Sequence, residues 1–256
     1  ELARQIRRGG SGGRYVGGGW EDEGGGRGVR DPYEVCGRVA VVSVCGLIAR
    51  HASMVNGMSQ PEGISVEELT GNLKSAAKKF DRILLDVDSP GGTLAGMAEL
   101  QACIDGLRAG GVKVAALARD QMASGAYWMS CRCDDIFAVS TAEVGSIGVY
   151  QCVTDYSQQL AADGVVVHLV ASGPHKGAGA EGTALSDVQL SGLLEGVKDA
   201  AALFTSVVKQ GRGLSDEQAA AVSTGMCWMA EQAMGLGLVD QIVSGRDEVI
   251  EMMNRV

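Results

Sequence analysis

Arg82-Ile83-Leu84-Leu85-Asp86-Val87-Asp88-Ser89-Pro90-Gly91-Gly92 decides the fold. Its aliphatic run is the length of one buried strand. Ser89-Pro90-Gly91-Gly92 ends it sharply, because proline lacks an N–H and glycine leaves the extended region freely. Thr93 to Leu107 then carries Leu94, Met97, Ala98, Leu100 and Ile104 at helical spacing, and Gly110-Gly111 stops it. Val112 to Ala118 is a second apolar run of strand length. Strand, helix and strand in that order form a βαβ unit, whose strands run parallel.

The same alternation extends both ways. Upstream, Arg38 to Val44 is β-branched and reads as a strand. A loop through Gly57, Pro61 and Gly63 leads to a helix ending near Lys79, with Ser65 as N-cap and Glu68 as its capping-box partner. Downstream, a helix starts at Ser124 and a short strand covers Asp135 to Val139. Val144 to Val149 is a Gly-punctuated turn or strand. A helix around Asp155 to Ala162, a strand over Val165 to Val170 and a loop over Ser172 to Gly177 come next. Helices over Asp187 to Gln210, Asp216 to Val222 and Ala230 to Met234 precede a strand over Leu238 to Val243 and a helix over Glu248 to Asn254. The expectation is an α/β fold, a mostly parallel sheet with helices on both faces. Residues 1–35 are Gly-rich with scattered arginines and bury too little apolar surface to order alone, so they read as a flexible arm on a domain over residues 36–256.

Composition narrows the function classes. Aromatics are 4% and glycines number 38, so the core is aliphatic with close backbone approaches. A net charge of −9 argues against nucleic acid as a partner. Seven cysteines, odd in number and irregular in spacing, read as buried thiols in a reducing compartment. Cys131-x-Cys133 has no second pair at zinc spacing, so no metal and no cofactor are expected. The longest apolar run, Val39 to Ala49, is too short to span a bilayer, and no signal peptide opens the chain. No membrane segment and a cytoplasmic location are the expectations; because the chain opens on Glu1, a lost leader stays open.

In open α/β sheets, sites lie beyond the carboxyl ends of strands. Two such ends matter here: Ser89-Pro90-Gly91-Gly92 and Met122-Ala123-Ser124-Gly125. Sequential parallel strands are usually neighbours, so the two turns face each other. Ser124 at a strand-to-helix junction is either a nucleophile or a small residue packed at a helix start. Gly91, with its N–H left bare, and Gly125 would aim two donors at one oxygen beside it, an oxyanion hole for acyl transfer. A simple turn is the alternative for Pro90-Gly91-Gly92, and the phosphate-loop pattern is absent. A serine needs a base. His51 lies in a loop with no acid placed to orient it, His168 is mid-strand, and His175 adjoins Lys176. A lysine serves as base when desolvation leaves it neutral, and otherwise is an ordinary surface residue.

Leu85 to Gly92, Met122 to Tyr127, Val144 to Val149 and Ser172 to Lys176, with Thr224-Gly225 and Gly235 to Asp240 at the end, resemble the signal peptide peptidase A (protease IV) family. The resemblance covers roughly Val39 to Val243. It implies a Clp-protease-like or crotonase-like fold and a Ser-Lys dyad. By position Ser124 is the nucleophile and Lys176, 52 residues later, the general base, with Gly91 and Gly125 as oxyanion donors. Ser172, four residues before Lys176, is read separately as a hydrogen-bond partner for the lysine. The related Clp proteases use a histidine about 25 residues after the serine. Here that neighbourhood reads Gly145 to Tyr150 with no histidine, which favours the dyad.

Within the family, the Asp86-Val87-Asp88-Ser89 form and the loop Met54 to Met58 resemble the phage head-maturation, or capsid-assembly, proteases. That branch implies protein substrates such as scaffold or capsid proteins, in the host cytoplasm or the procapsid interior. The family also implies a homo-oligomer in which Ser124 and Lys176 of one site come from neighbouring subunits. The alternatives are a signal-peptide-degrading peptidase, a crotonase-like acyl-CoA enzyme, and a silent assembly protein.

Overall fold

The computed structural model describes residues 14–16, 19–21, 32–51 and 63–255. They divide into two compact units, Glu1–Gly145 with Cys227–Val256, and Ser146–Met226. In the first unit β1 (Arg14–Val16) and β2 (Gly19–Glu21) pair antiparallel. The rest of the Gly-rich arm up to residue 31, and the loop holding Met54 to Met58, lie outside the described residues, whereas Glu34 and Val35 already pair with the strand Val39–Cys45.

The strands of the main sheet are β3 (Glu34–Cys36), β4 (Val39–Cys45), β7 (Arg82–Ser89), β8 (Lys113–Ala123), β9 (Asp135–Val139), β10 (Glu143–Gly145), β11 (Cys227–Met229) and β12 (Gln241–Val243). A separate parallel pair joins β5 (Leu47–Ala49) to β6 (Gly63–Ser65). The main sheet runs β11-β10-β8-β7-β4-β3, with β9 also beside β8 and β12 beside β9. β4, β7, β8, β9, β10 and β12 pair in parallel, and only β3 and β11 pair antiparallel.

β7 sits between β4 and β8, which is why its sequence is a nearly unbroken apolar run. Alternate residues serve opposite faces. Leu84 joins Val39, Val41, Ala115, Leu117 and Phe137 against Val249 and Met253 of the C-terminal helix α8 (Arg246–Arg255). On the other side pack α1 (Val66–Ala77), α2 (Met97–Ala109) and the short α3 (Gly125–Ser130). The sheet is therefore mostly parallel with helices on both faces. Ser65 caps α1 by accepting from the Glu68 N–H at 3.0 Å, a bond whose loss typically costs about 1 kcal/mol. The largest fully buried side chain is Tyr127, and its hydroxyl donates to the Leu238 carbonyl at 2.9 Å. α7 (Ala230–Gly235) completes this unit.

Two boundaries differ from the sequence reading. The helix expected from Thr93 begins only at Met97, because the Thr93 N–H is held by the Ile48 carbonyl at 2.9 Å and Gly92 bridges to Ile48. β8 continues past Ala118 to Ala123, since β10 gives its last residues a parallel partner. The cysteines also depart from expectation: Cys131 and Cys133 are buried, but Cys45 and Cys152 are exposed.

The second unit holds α4 (Ser157–Ala162), α5 (Asp187–Arg212) and α6 (Asp216–Val222). Capping boxes Ser186/Gln189 and Ser215/Gln218 fix the starts of α5 and α6. The strand expected over Val165 to Val170 is absent. This run has no ladder partner among the described residues, and β-branched propensity alone does not make a strand. Its side chains stand out instead, with Val166 71% and Val170 95% exposed. Among the described residues no helix is long and apolar enough to cross a membrane.

Candidate active site

At the end of β7, Ser89 is fully buried and organises the turn after it. Its Oγ donates to the Gly46 carbonyl at 2.6 Å and accepts from the Gly91 N–H at 3.1 Å. The expectation of a bare Gly91 N–H is therefore corrected: a side chain two residues upstream takes it. Gly91 lies at φ 93, and a Cβ there would sit 2.6 Å from the Gly125 nitrogen and 2.7 Å from Ser124 Cβ. Only glycine fits, and its bareness brings the two turns into contact.

Gly92 is equally constrained, since a Cβ on it would collide with the Ile48 carbonyl. Its nitrogen lies 3.4 Å from where a Gly125 Cβ would stand. Neither the Gly92 nor the Gly125 N–H has an acceptor among the described residues. These two donors, not Gly91 and Gly125, stand open beside Ser124.

Ser124 adopts φ 52, ψ −122, a backbone state that non-glycine residues avoid. Such strain costs on the order of 1–3 kcal/mol and persists only where the surroundings fix it. Here the Ser124 N–H donates to the Gly145 carbonyl at 2.8 Å, and its carbonyl accepts from the Trp128 N–H at 2.9 Å. Trp128 in turn donates through Nε1 to Gln101 at 3.1 Å, and all of α3 is buried. Ser124 itself stays partly exposed. A strained strand-to-helix turn that lifts a serine out of a buried helix start is the geometry of a nucleophile elbow.

Ser146, two residues past Val144, is the other non-glycine residue at positive φ among the described residues, at φ 51. Its N–H donates to the Met226 carbonyl at 2.7 Å. The sequence showed a turn there but not the strain; the Gly145-Ser146 pair was the available signal.

Lys176 belongs to the second unit. It is exposed there, in a run of turns in which the Lys176 N–H donates to Gly173 at 3.2 Å and the Ala180 N–H to Gly177 at 2.9 Å. Ser172 is also exposed, at the start of the same turns. His175 packs its ring against Gly192 of α5, where a Cβ would lie 2.6 Å from Nδ1. His168 is exposed coil. His51 does face an acid, Glu67, at 3.3 Å, contrary to expectation, but both side chains are 68% exposed, and such surface pairs are worth little.

Removing the Ser89 hydroxyl tests the turn directly. Ser89→Ala leaves the Gly91 N–H and the Gly46 carbonyl without their partner, an expected cost of about 1–3 kcal/mol in a denaturant melt.

In the solved structures, the chain resembles a point mutant of ClpP1 from Listeria monocytogenes, with TM-score 0.53 over 81% of this chain and 92% of that one. At 12% identity this likeness establishes the fold, that of the Clp proteases. Among curated relatives, the probable protease SohB of Haemophilus influenzae is 28% identical over 88% of this chain and 60% of its own length. Capsid assembly protease C of Escherichia phage lambda is 31% identical over 86% of this chain and 50% of its own. The putative signal peptide peptidase SppA of Enterococcus faecium is 30% identical over 66% of this chain and 49% of its own. The chain thus spans half to three-fifths of the length of these relatives. The sequence model of peptidase family S49 matches residues 107–256, which include Ser124, Gly125 and Lys176. A Clp-type fold, a strained serine turn and this match over more than half the sequence place the chain in peptidase family S49, the serine-peptidase family that its motifs resemble.

Proposed function

We propose that the chain is a serine endopeptidase that works through an acyl-enzyme with a Ser124–Lys176 dyad. The observation that carries this is the Ser124 turn: a strained, partly exposed serine beside two open backbone donors. Lys176 takes the Ser124 proton as Oγ attacks the peptide carbonyl. The Gly92 and Gly125 N–H groups hold the oxyanion, and Gly91 serves as the close-packed spacer between the turns. Lys176 returns the proton to the leaving amine, and water then releases the acyl group.

The finer reading is maturation of a phage prohead, with scaffold or capsid proteins as substrates. The likeness to the lambda capsid assembly protease supports it. A site shared between neighbouring subunits is part of the same proposal. The exposed Lys176 and the exposed apolar run Val165 to Val170 upstream of it support that reading, because an oligomer would supply the burial that a lysine base requires.

Incubation with casein, and separately with candidate scaffold and capsid proteins, followed by mass spectrometry of the products, tests both levels. Discrete internal cleavage absent from a Ser124→Ala control is expected. Cleavage of casein but of no capsid or scaffold protein would remove the maturation role and keep the peptidase. A fluorophosphonate that labels Ser124 separates a hydrolase from a crotonase-like acyl-CoA enzyme.

A further inference from the structure

The ladder between β7 and β8 breaks just before the serine. Val87 pairs with Ala118, but Ser89 pairs with Met122. Asp88 therefore stands opposite three residues, Arg119, Asp120 and Gln121. β8 carries two residues more than the ladder needs. An excess of two preserves the alternation of faces, so Met122 and Ala123 still bury their side chains, one on each face of the sheet. It also leaves slack at Arg119 and Asp120, which have no ladder partner among the described residues, whereas Gln121 pairs with Glu143 of β10. Bulges beside active sites commonly re-aim the side chains next to them.

A buried charge sits at this bulge. Asp86 lies in the middle of β7 with its side chain 2% exposed. Arg119, the first bulge residue, brings Nε to 2.8 Å from Asp86 Oδ1. This is a charge contact without hydrogen-bond geometry, since Oδ1 makes no hydrogen bond. From the far side Arg246, at the start of α8, places Nη1 3.6 Å from Oδ2 and donates through Nη2 to both carboxylate oxygens of Glu34 on β3. The chain Glu34–Arg246–Asp86–Arg119 thus runs from the edge strand to the bulge.

A carboxylate buried there is costly to the fold. Burial pushes the Asp86 carboxyl above its usual range, and this outweighs Arg119 and Arg246, which pull it down. The ionised form therefore opposes folding at neutral pH. Stability contributed by Asp86 is greatest below the unfolded pKa of about 3.9 and falls as pH rises through the higher folded value. Stability alone does not account for a charge at this position.

We propose that Asp86 and Arg119 are positioning residues for the proposed peptidase: their contact takes up the slack in β8 and fixes Ser124 against Gly91 and Gly92. This rests on the reading of Ser124 as nucleophile. The pair touches no substrate. It acts on the three residues that lead into the turn.

The test compares Asp86→Asn, Arg119→Ala and Arg119→Lys in the full chain, with Ser124→Ala as control. Amide hydrogen exchange of the 119–125 segment is followed by mass spectrometry, and hydrolysis of dye-quenched casein is measured against concentration. Asp86→Asn and Arg119→Ala are expected to speed exchange at 119–125 at least about tenfold while β4 stays protected. kcat is expected to fall roughly 100-fold with KM little changed, because a displacement near 1 Å at a reacting group costs about that much. Arg119→Lys, which keeps the charge, recovers most of kcat. Asp86→Asn melts no lower than the parent chain.

Unchanged exchange at 119–125, or exchange rising equally in β4, overturns the proposal, as does an unchanged kcat. Should the parent chain show no hydrolysis that Ser124→Ala removes, the peptidase reading fails separately, and the exchange data alone decide whether the pair fixes the turn.

Discussion

Ser124→Ala is expected to lower peptide hydrolysis by on the order of 10⁴-fold or more and to leave the fold intact. The size follows from the role. Without its nucleophile an acyl-enzyme cannot form, and only binding and the oxyanion donors remain to assist attack by water. Folding should be nearly unaffected, since Ser124 is partly exposed and its helix is anchored elsewhere, by Tyr127 on Leu238 and Trp128 on Gln101. Alanine keeps the strain of φ 52, whereas glycine removes it. Ser124→Gly should therefore be as inactive as Ser124→Ala yet more stable by about 1 kcal/mol in a denaturant melt. That contrast distinguishes a serine retained for chemistry from one retained for packing. Normal turnover by Ser124→Ala would remove the nucleophile assignment, and with it the mechanism.

The parts of this site differ in how visible they were in the sequence. β7 and its neighbours were legible because a strand buried on both faces leaves an unbroken aliphatic run, and Pro90 punctuates its end. The contact between the two turns was legible from the order of parallel strands. Which glycine N–H stays without an acceptor was not. That depends on the rotamer of Ser89, whose hydroxyl reaches both the Gly46 carbonyl and the Gly91 N–H, and no local pattern encodes that choice. The strain at Ser124 and Ser146 was hidden for a similar reason, because strained backbone is imposed by distant hydrogen bonds and not by residue type. Asp86 was legible as part of a strand and of a family motif but not as a buried ion-pair partner; its partners lie 33 and 160 residues further on, at Arg119 and Arg246. Val165 to Val170 misled because its composition suits a strand while it finds no ladder partner among the described residues.

Lys176→Ala is expected to match Ser124→Ala in loss of hydrolysis, and Lys176→Arg should be just as inactive. Arginine keeps the positive charge but does not give up its proton, so it cannot serve as base. Activity surviving in Lys176→Arg would mean that the lysine acts through charge alone, and activity surviving in Lys176→Ala would sink the dyad. The two inactive chains, Ser124→Ala and Lys176→Ala, then test where the two halves of a site come from. In a ring where each serine meets the lysine of the next subunit, random mixing of equal amounts restores an intact pair at about a quarter of the sites. If each site is built within one chain, no mixture restores any. The measurement needs proof of subunit exchange, which mass spectrometry of isotope-labelled chains provides. Exchange with recovery near that level means that assembly completes the site. Hydrolysis per chain would then rise with chain concentration and vanish on dilution to the monomer, whereas a site built within one chain would keep its specific activity on dilution.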